Sequence, residues 1–344
     1  MRAVLIEEFG IMPRIADVPA PECPPTGAVV RVKATGVCRS DWHAWTGHDS
    51  SVRTPHVPGH EFAGVVEQLG AEVTRSRVGD RVTAPFVYAC GRCAQCRAGD
   101  NQVCTRQEQP GFTLWGSFAD LVVVLEADLN LVALPDALGY AEAAALGCRF
   151  ATAYRAVVTR AAVRPGESVA VHGCGGIGLS AIVVARAAGA QVVAVDVAPG
   201  ALAAAERLGA VILRAGPTAV DEIRSITGGG AHVSLDAFGS AATCRASIAS
   251  LRPRGRHVQV GLLLGDEAMP PLPMGDVVAN ELDILGSHGM AAHEYPAMLA
   301  QIAEGRLSPA LTLGRRIGFD ELGGALAGMS GPAPSAGMTV AVWD

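Results

Sequence analysis

The sequence predicts an α/β protein built around a doubly wound parallel sheet and completed by a second unit. Three observations carry that expectation. The stretch "SVAVHGCGGIGLSAIVVARAAGAQVVAVDV" (168–197) reads as strand, glycine-rich turn, Ala-rich helix and second strand. Further β-rich runs in "AVILRAG", "AHVSLDAFG" and "RHVQVGLLLG" continue the alternation to about residue 285. The 344 residues, half of them hydrophobic, exceed what one core usually holds, so two domains are expected.

In the first βα unit the pattern Gly173-x-Gly175-x-x-Gly178 follows a strand of residues 168–172 at once. Its glycines allow a tight turn, close approach of the backbone to a pyrophosphate, and close packing of helix on strand. With Gly176 and Ile177 they make the expected cofactor-binding turn. The second strand ends at Asp196, 18 positions beyond Gly178. An acid there accepts hydrogen bonds from an adenosine ribose and repels a 2′-phosphate, which selects NAD over NADP. The competing reading makes Asp196 a helix cap. A last strand and turn are expected in "ILGSHGM" (284–290).

Ahead of this region, "CGRCAQCRAGDNQVC" (90–104) holds four of the nine cysteines. Cys90, Cys93 and Cys96 are spaced three apart and Cys104 follows eight later, so a folded-back loop brings four thiolates to the corners of a tetrahedron. A closed four-cysteine set suits structural zinc. Gly91 and Gly99 supply backbone freedom, and Arg92 and Arg97 are expected to offset thiolate charge. The odd cysteine total and the lack of a charged-then-apolar segment after Met1 point to the cytoplasm, where clustered thiols are metal ligands more often than disulfides.

A second, open set is scattered. "GVCRSDWH" (36–43) offers Cys38, Ser40, Asp41 and His43; "VPGHEFAGVVEQLG" (57–70) offers His60 and Glu61. "LGCRFATAYRAV" (146–157) offers Cys148, after a glycine at the expected start of a helix. A buried Cys or His is often plain core, but two cysteines and one histidine with a vacant fourth position describe catalytic zinc. The net charge of −6, with no Lys/Arg run, disfavours nucleic acid, and no apolar run is long enough for a membrane span.

Taken together, "GVCRSDWH", "PGHEFAGVV", the four-cysteine lobe, "GCRFATAY", "GCGGIG" and "AVDV" resemble, in order and spacing, the zinc-dependent alcohol dehydrogenases of the medium-chain dehydrogenase/reductase superfamily. The resemblance implies a mainly β, GroES-like catalytic domain (1–148, with a zinc lobe at 88–106, and 286–344) around a Rossmann NAD-binding domain (149–285). It implies two zinc ions per chain: a catalytic ion on Cys38, His60 and Cys148, and a structural ion on Cys90, Cys93, Cys96 and Cys104. Asp41 is then the carboxylate that orients His60, and Glu61 the acid that approaches the metal during ligand exchange. Thr152, Val260, Gly261, Leu262, Ser287 and His288 abut the nicotinamide. Ser40 and His43 form a proton relay to solvent; alternatively Ser40 caps a helix and His43 packs on Trp42.

The implied activity is interconversion of alcohols with aldehydes or ketones by hydride transfer to and from NAD. A polyol, amino-alcohol or formaldehyde-adduct dehydrogenase is the alternative, and a non-catalytic zinc-binding protein a more distant one. Trp42, Trp45, Phe86, Trp115 and Met290 suggest an apolar substrate pocket. A homodimer or homotetramer is implied as well. Two departures stand out: Ala201 replaces a lysine, and Met338 an arginine facing the pyrophosphate, that relatives often carry.

Overall fold

The computed structural model describes residues 1–331 and 336–343. Its strands are β1 (Arg2–Leu5), β2 (Arg14–Asp17), β3 (Ala28–Val37), β4 (Phe62–Leu69), β5 (Arg81–Thr83), β6 (Leu121–Val124), β7 (Val132–Ala133), β8 (Ser168–His172), β9 (Gln191–Asp196), β10 (Val211–Arg214), β11 (Ala231–Asp236), β12 (Leu251–Gln259), β13 (Asp283–Gly286), β14 (Leu313–Ile317) and β15 (Met338–Val342). Apart from the β1–β2 pair they form two sheets.

One sheet is parallel throughout, in the order β10-β9-β8-β11-β12-β13. Every residue of β8 is buried, as is every residue of β9 between its ends. Strands covered on both faces by helices need such continuous apolar runs, which is why "SVAVH" and "QVVAVD" do not alternate. The strand order reverses between β8 and β11, so a crevice opens beyond their carboxyl ends, where doubly wound sheets bind ligands.

The other sheet runs β14-β15-β3-β4-β5-β7, with β6 also pairing β3. Its centre is the ten-residue β3, antiparallel to β4, β6 and β15. Thr35 of β3 lies opposite Phe62 of β4, and the Gly36 N–H donates to the Glu61 carbonyl at 2.7 Å. This register brings the exit of β3, at Cys38, beside the entry to β4, at His60 and Glu61.

A helical run joins the two sheets. It contains the helix Tyr140–Ala144, a π-helical turn Leu146–Phe150, the helix Ala151–Arg155 and a second π-helical turn Ala156–Arg160. The first π turn is closed by the Phe150 N–H donating to the Ala145 carbonyl, five residues back, at 3.2 Å. Cys148 therefore sits inside a wide helical turn rather than at a helix start, which corrects the sequence expectation. Such turns interrupt the regular ladder and re-aim side chains.

The glycine turn follows β8, with Gly173 at φ +92°. A Cβ on Gly178 would overlap the Gly173 carbonyl oxygen, because the helix Gly176–Ala187 lies directly on the strand end. Since backbone cannot move aside as a flexible side chain does, Gly178→Ala is expected to destabilise the fold by about 1–3 kcal/mol in chemical denaturation. Gly175→Ala, where a Cβ meets nothing within 4 Å, should be neutral within about 0.5 kcal/mol. Equal stability of the two variants would contradict this packing.

Candidate active site

Cys38 directly follows β3 and occupies the N-cap position of the helix Arg39–Trp45, which excludes Ser40 as that helix's cap. The third residue of the helix is Asp41, whose side chain is completely buried. Its Oδ2 accepts from the Cys38 N–H at 2.9 Å, and its Oδ1 from the Gly59 N–H at 3.1 Å and His60 Nδ1 at 2.8 Å. A carboxylate on Nδ1 fixes the histidine tautomer and leaves the lone pair on Nε2. That Nε2 is buried and meets no hydrogen-bond partner among the described residues.

The sulfurs of Cys38 and Cys148, a His60 nitrogen and a Glu61 oxygen lie within 4.8 Å of one another. Burial pulls His60 down, but the charge and hydrogen bond of Asp41 outweigh it and hold the imidazole well above its usual range, so a metal ion on Nε2 would have to displace a proton there. The neighbouring Cys148 thiol keeps Cys38 well below the ordinary thiol value, helped by the positive charge of Arg149. The same contact, with burial, pushes Cys148 well above it. Two sulfurs and one orphaned imidazole nitrogen, with a carboxylate behind the ring, fit a zinc ion. Phe86 and Phe112 enclose His60 at 6.1 and 5.1 Å between ring centroids.

Glu61 is tied to Arg149. The arginine Nε donates to both carboxylate oxygens at 2.9 and 3.0 Å, its backbone N–H to Oε1 at 3.0 Å, and Nη2 pairs with Oε2. Burial pushes the Glu61 carboxyl up, Arg149 opposes it, and the carboxylate in turn holds the guanidinium above its ordinary value. Arg149 stands inside "GCRFATAY", where a charge directly beside a metal-type cysteine is the one signal of its role that the sequence carries.

Ser40 is half-buried on the same helix. His43 stacks edge-on against Trp42 at 5.0 Å, and its Nδ1 lies 3.1 Å from His48 Nδ1. His48, exposed and unforeseen from sequence, extends the polar path outward. Burial first, then His48 and Arg39, push His43 below its ordinary value. Trp45, Met290 and Phe86 are all buried in apolar clusters, and the Trp45 indole N–H donates to the Ile11 carbonyl at 2.6 Å.

The four lobe sulfurs, Cys90, Cys93, Cys96 and Cys104, also cluster within 4.8 Å. Cys93 Sγ lies 3.4 Å from Cys96 Sγ and 3.7 Å from Cys104 Sγ, close to the edge of about 3.8 Å that Zn–S bonds of about 2.3 Å give a tetrahedron. Gly91 and Gly99 have φ of +70° and +90°. The charge compensation expected of Arg92 and Arg97 is corrected: Arg92 pairs with Glu126, and Arg97 donates to the Arg92 carbonyl. Backbone N–H groups of Cys90, Cys96 and Arg106 reach the sulfurs instead, at 3.4 Å. The one from Cys96 leads the effects that lower Cys93 to about 5.

At the end of β9, Asp196 Oδ2 accepts from the Cys174 N–H at 2.6 Å and Oδ1 from the Ala198 N–H at 2.8 Å. It braces the glycine turn as well as the bend before the helix Pro199–Arg207. The Val260 and Gly261 N–H groups donate to the Asp236 carbonyl, and the Ser287 N–H to that of Gln259. His288 Nδ1 donates to the Gln102 carbonyl at 3.0 Å, binding this loop to the cysteine lobe. Leu262 is half exposed. The hydroxyls of Thr152 and Ser287 are buried without a partner among the described residues, as groups awaiting a polar ligand would be.

Residues 24–136 match the family model of the alcohol dehydrogenase GroES-like domain, and residues 176–304 that of the zinc-binding dehydrogenase. An alcohol dehydrogenase of Rhizobium meliloti (strain 1021) is 38% identical over 314 residues, 90% of each chain. The chain belongs to the zinc-binding alcohol dehydrogenase family. An NAD-dependent alcohol dehydrogenase of Sulfurisphaera tokodaii is 32% identical over 91% of this dehydrogenase and 92% of its own chain. The solved alcohol dehydrogenase TADH from Thermus sp. ATN1 shares the fold of this dehydrogenase at a TM-score of 0.91 and 33% identity, covering 99% of both chains. The fold class read from sequence, Rossmann plus GroES-like, is that of the family.

The two donor sets of the dehydrogenase generate distinct metal expectations. Elemental analysis of the native protein should give two zinc ions per chain. Cys38→Ser should retain about one, with unchanged circular dichroism and lost activity, whereas Cys93→Ser should lower thermal stability. One ion per fully active native chain would contradict the assignment.

Proposed function

We propose that this dehydrogenase interconverts alcohols with aldehydes or ketones, using NAD, catalytic zinc on Cys38, His60 and Cys148, and structural zinc on Cys90, Cys93, Cys96 and Cys104. The observation that carries the reading is the orphaned, buried Nε2 of His60 facing two cysteine sulfurs, with Asp41 locked behind the ring. With the Glu61 carboxylate held by Arg149, three donors remain here against the four of the lobe, which describes an open rather than a closed site. The metal-binding unit comprises about 1–148 and 286–344, and the cofactor unit 149–285.

When bound, zinc polarises the substrate oxygen and NAD carries the hydride. The chain's own part is to hold, orient and deprotonate. Phe86 and Phe112 keep the surroundings of His60 apolar, which favours substrates with apolar carbon skeletons and strengthens electrostatics there. Ser40 takes the alcohol proton while donating its own, and His43 and His48 pass it to solvent. Thr152 and Ser287 meet the nicotinamide side of the cofactor; Gly173 to Gly178 and Asp196 meet its pyrophosphate and adenosine ribose.

No helix of the described residues is long and apolar enough to cross a membrane. None of the nine cysteines is joined in a disulfide, which suits the reducing cytoplasm. The terminal strand β13 and the neighbouring exposed Met269 and Val278 favour packing against a second copy, for which sedimentation of the native protein is the measure.

Absorbance assays over alcohols, polyols and amino-alcohols should find turnover with simple alcohols and NAD, and Asp196→Ala should narrow the preference over NADP. Faster turnover of the native protein with NADP at subsaturating cofactor would refute the role given to Asp196, and turnover confined to polyols would shift the substrate class.

Alcohol oxidation needs His43 neutral so that it can accept a proton. Because its pKa is pushed down, the rate should rise with pH through a value below the ordinary imidazole value of about 6.5 and be flat above it. Ser40→Ala should remove most oxidation while zinc and NAD still bind. His43→Gln should cost about tenfold to a hundredfold and flatten the rise. Full activity of Ser40→Ala, with hydride transfer shown to be rate-limiting by deuterated alcohol, would take the relay out of the mechanism.

A further inference from the structure

Arg149 presents a donor that its pairing with Glu61 does not use. Its side chain is only 8% exposed, and its Nε and Nη2 are committed to Glu61. Nη1 meets no acceptor among the described residues. The same guanidinium stands against the glycine turn: a Cβ built on Gly176 would lie 2.6 Å from Arg149 Cδ and 3.2 Å from Nη1. Gly176 opens the twelve-residue helix Gly176–Ala187, whose first backbone N–H groups lack intrahelical partners and whose dipole is positive at this end. Glu61 balances the charge of Arg149 but leaves Nη1 and these N–H groups without an acceptor. Unpaired donors of one sign that converge on one spot describe a site for an anion.

Met338 borders the same glycine, with Cγ 3.3 Å from that Cβ, and brings no charge. Its position in β15 opposite the turn leaves Arg149 to supply the positive side chain. We propose that Arg149 neutralises the pyrophosphate of the dinucleotide, bridging Glu61 to the Gly173–Gly178 turn through its free Nη1. The inference rests on the NAD reading above. It makes "GCRFATAY" a two-sided segment, with Cys148 facing the metal donors and Arg149 facing the phosphates.

The test is isothermal titration of the zinc-loaded protein with ADP-ribose, which carries the pyrophosphate without nicotinamide, and with adenosine, which carries neither. Arg149→Lys keeps a cation for Glu61 and loses the forked Nη1, so the buried carboxylate is not stranded. ADP-ribose affinity should fall tenfold or more and adenosine affinity should hold. If Arg149→Lys does not fold, Arg149→Met combined with Met338→Arg puts the cation back on the other side of Gly176, and ADP-ribose binding should exceed that of Arg149→Met with Glu61→Gln. ADP-ribose affinity unchanged in Arg149→Lys, or adenosine affinity falling equally, would overturn the role of Arg149 and leave the NAD reading standing. Failure of the native protein to bind ADP-ribose at all would overturn both.

Discussion

The buried carboxylate of Asp41 is the constraint on which the rest of the active site depends. A charged group with no solvent contact is tolerable only when its lone pairs are satisfied, and three N–H donors do so here. Those donors come from the exit of β3, the turn before β4 and the ring of His60. One side chain thereby fixes the backbone that presents Cys38 and the tautomer that His60 offers. An apolar replacement would strand all three donors, at about 1–3 kcal/mol for each left unsatisfied.

Around that anchor the two sheets contribute in different ways. Antiparallel register between β3 and β4 brings Cys38 and His60 together, while the π-helical turn swings Cys148 and Arg149 toward them from the helical run that leads to the parallel sheet. The Glu61–Arg149 pair lies across this junction, fully buried. Removing either partner from such a pair strands a charge, at about 3–5 kcal/mol. The pair therefore holds the metal donors and the glycine turn in a fixed relation, which hydride transfer between substrate and cofactor requires.

Much of this was legible in the sequence because the decisive features are local. Gly173, Gly175, Gly178 and Asp196 fall within one βαβ unit, and the four lobe cysteines within fifteen residues, so spacing alone constrains them. The open donor set is distributed over 111 positions from Cys38 to Cys148; no periodicity links its members, and only similarity to a family brought them together. Less legible still were features set by tertiary packing. The i→i−5 turn at Cys148 cannot be told from an ordinary helix by apolar spacing. His48 lies on an exposed segment with no pattern, and whether Arg92 and Arg97 turn toward the thiols depends on Glu126 and a carbonyl that sequence does not place.

The central claim is that the chain holds one closed thiolate site and one open site of mixed donors. Zinc-edge X-ray absorption of the native protein tests it most directly, because sulfur at about 2.3 Å separates from nitrogen or oxygen at about 2.0–2.2 Å. Filled together, the two sites predict an average of about three sulfurs and one lighter ligand per zinc. An all-sulfur shell in fully active protein would contradict the account, since activity would then coexist with an empty set at Cys38, His60 and Cys148.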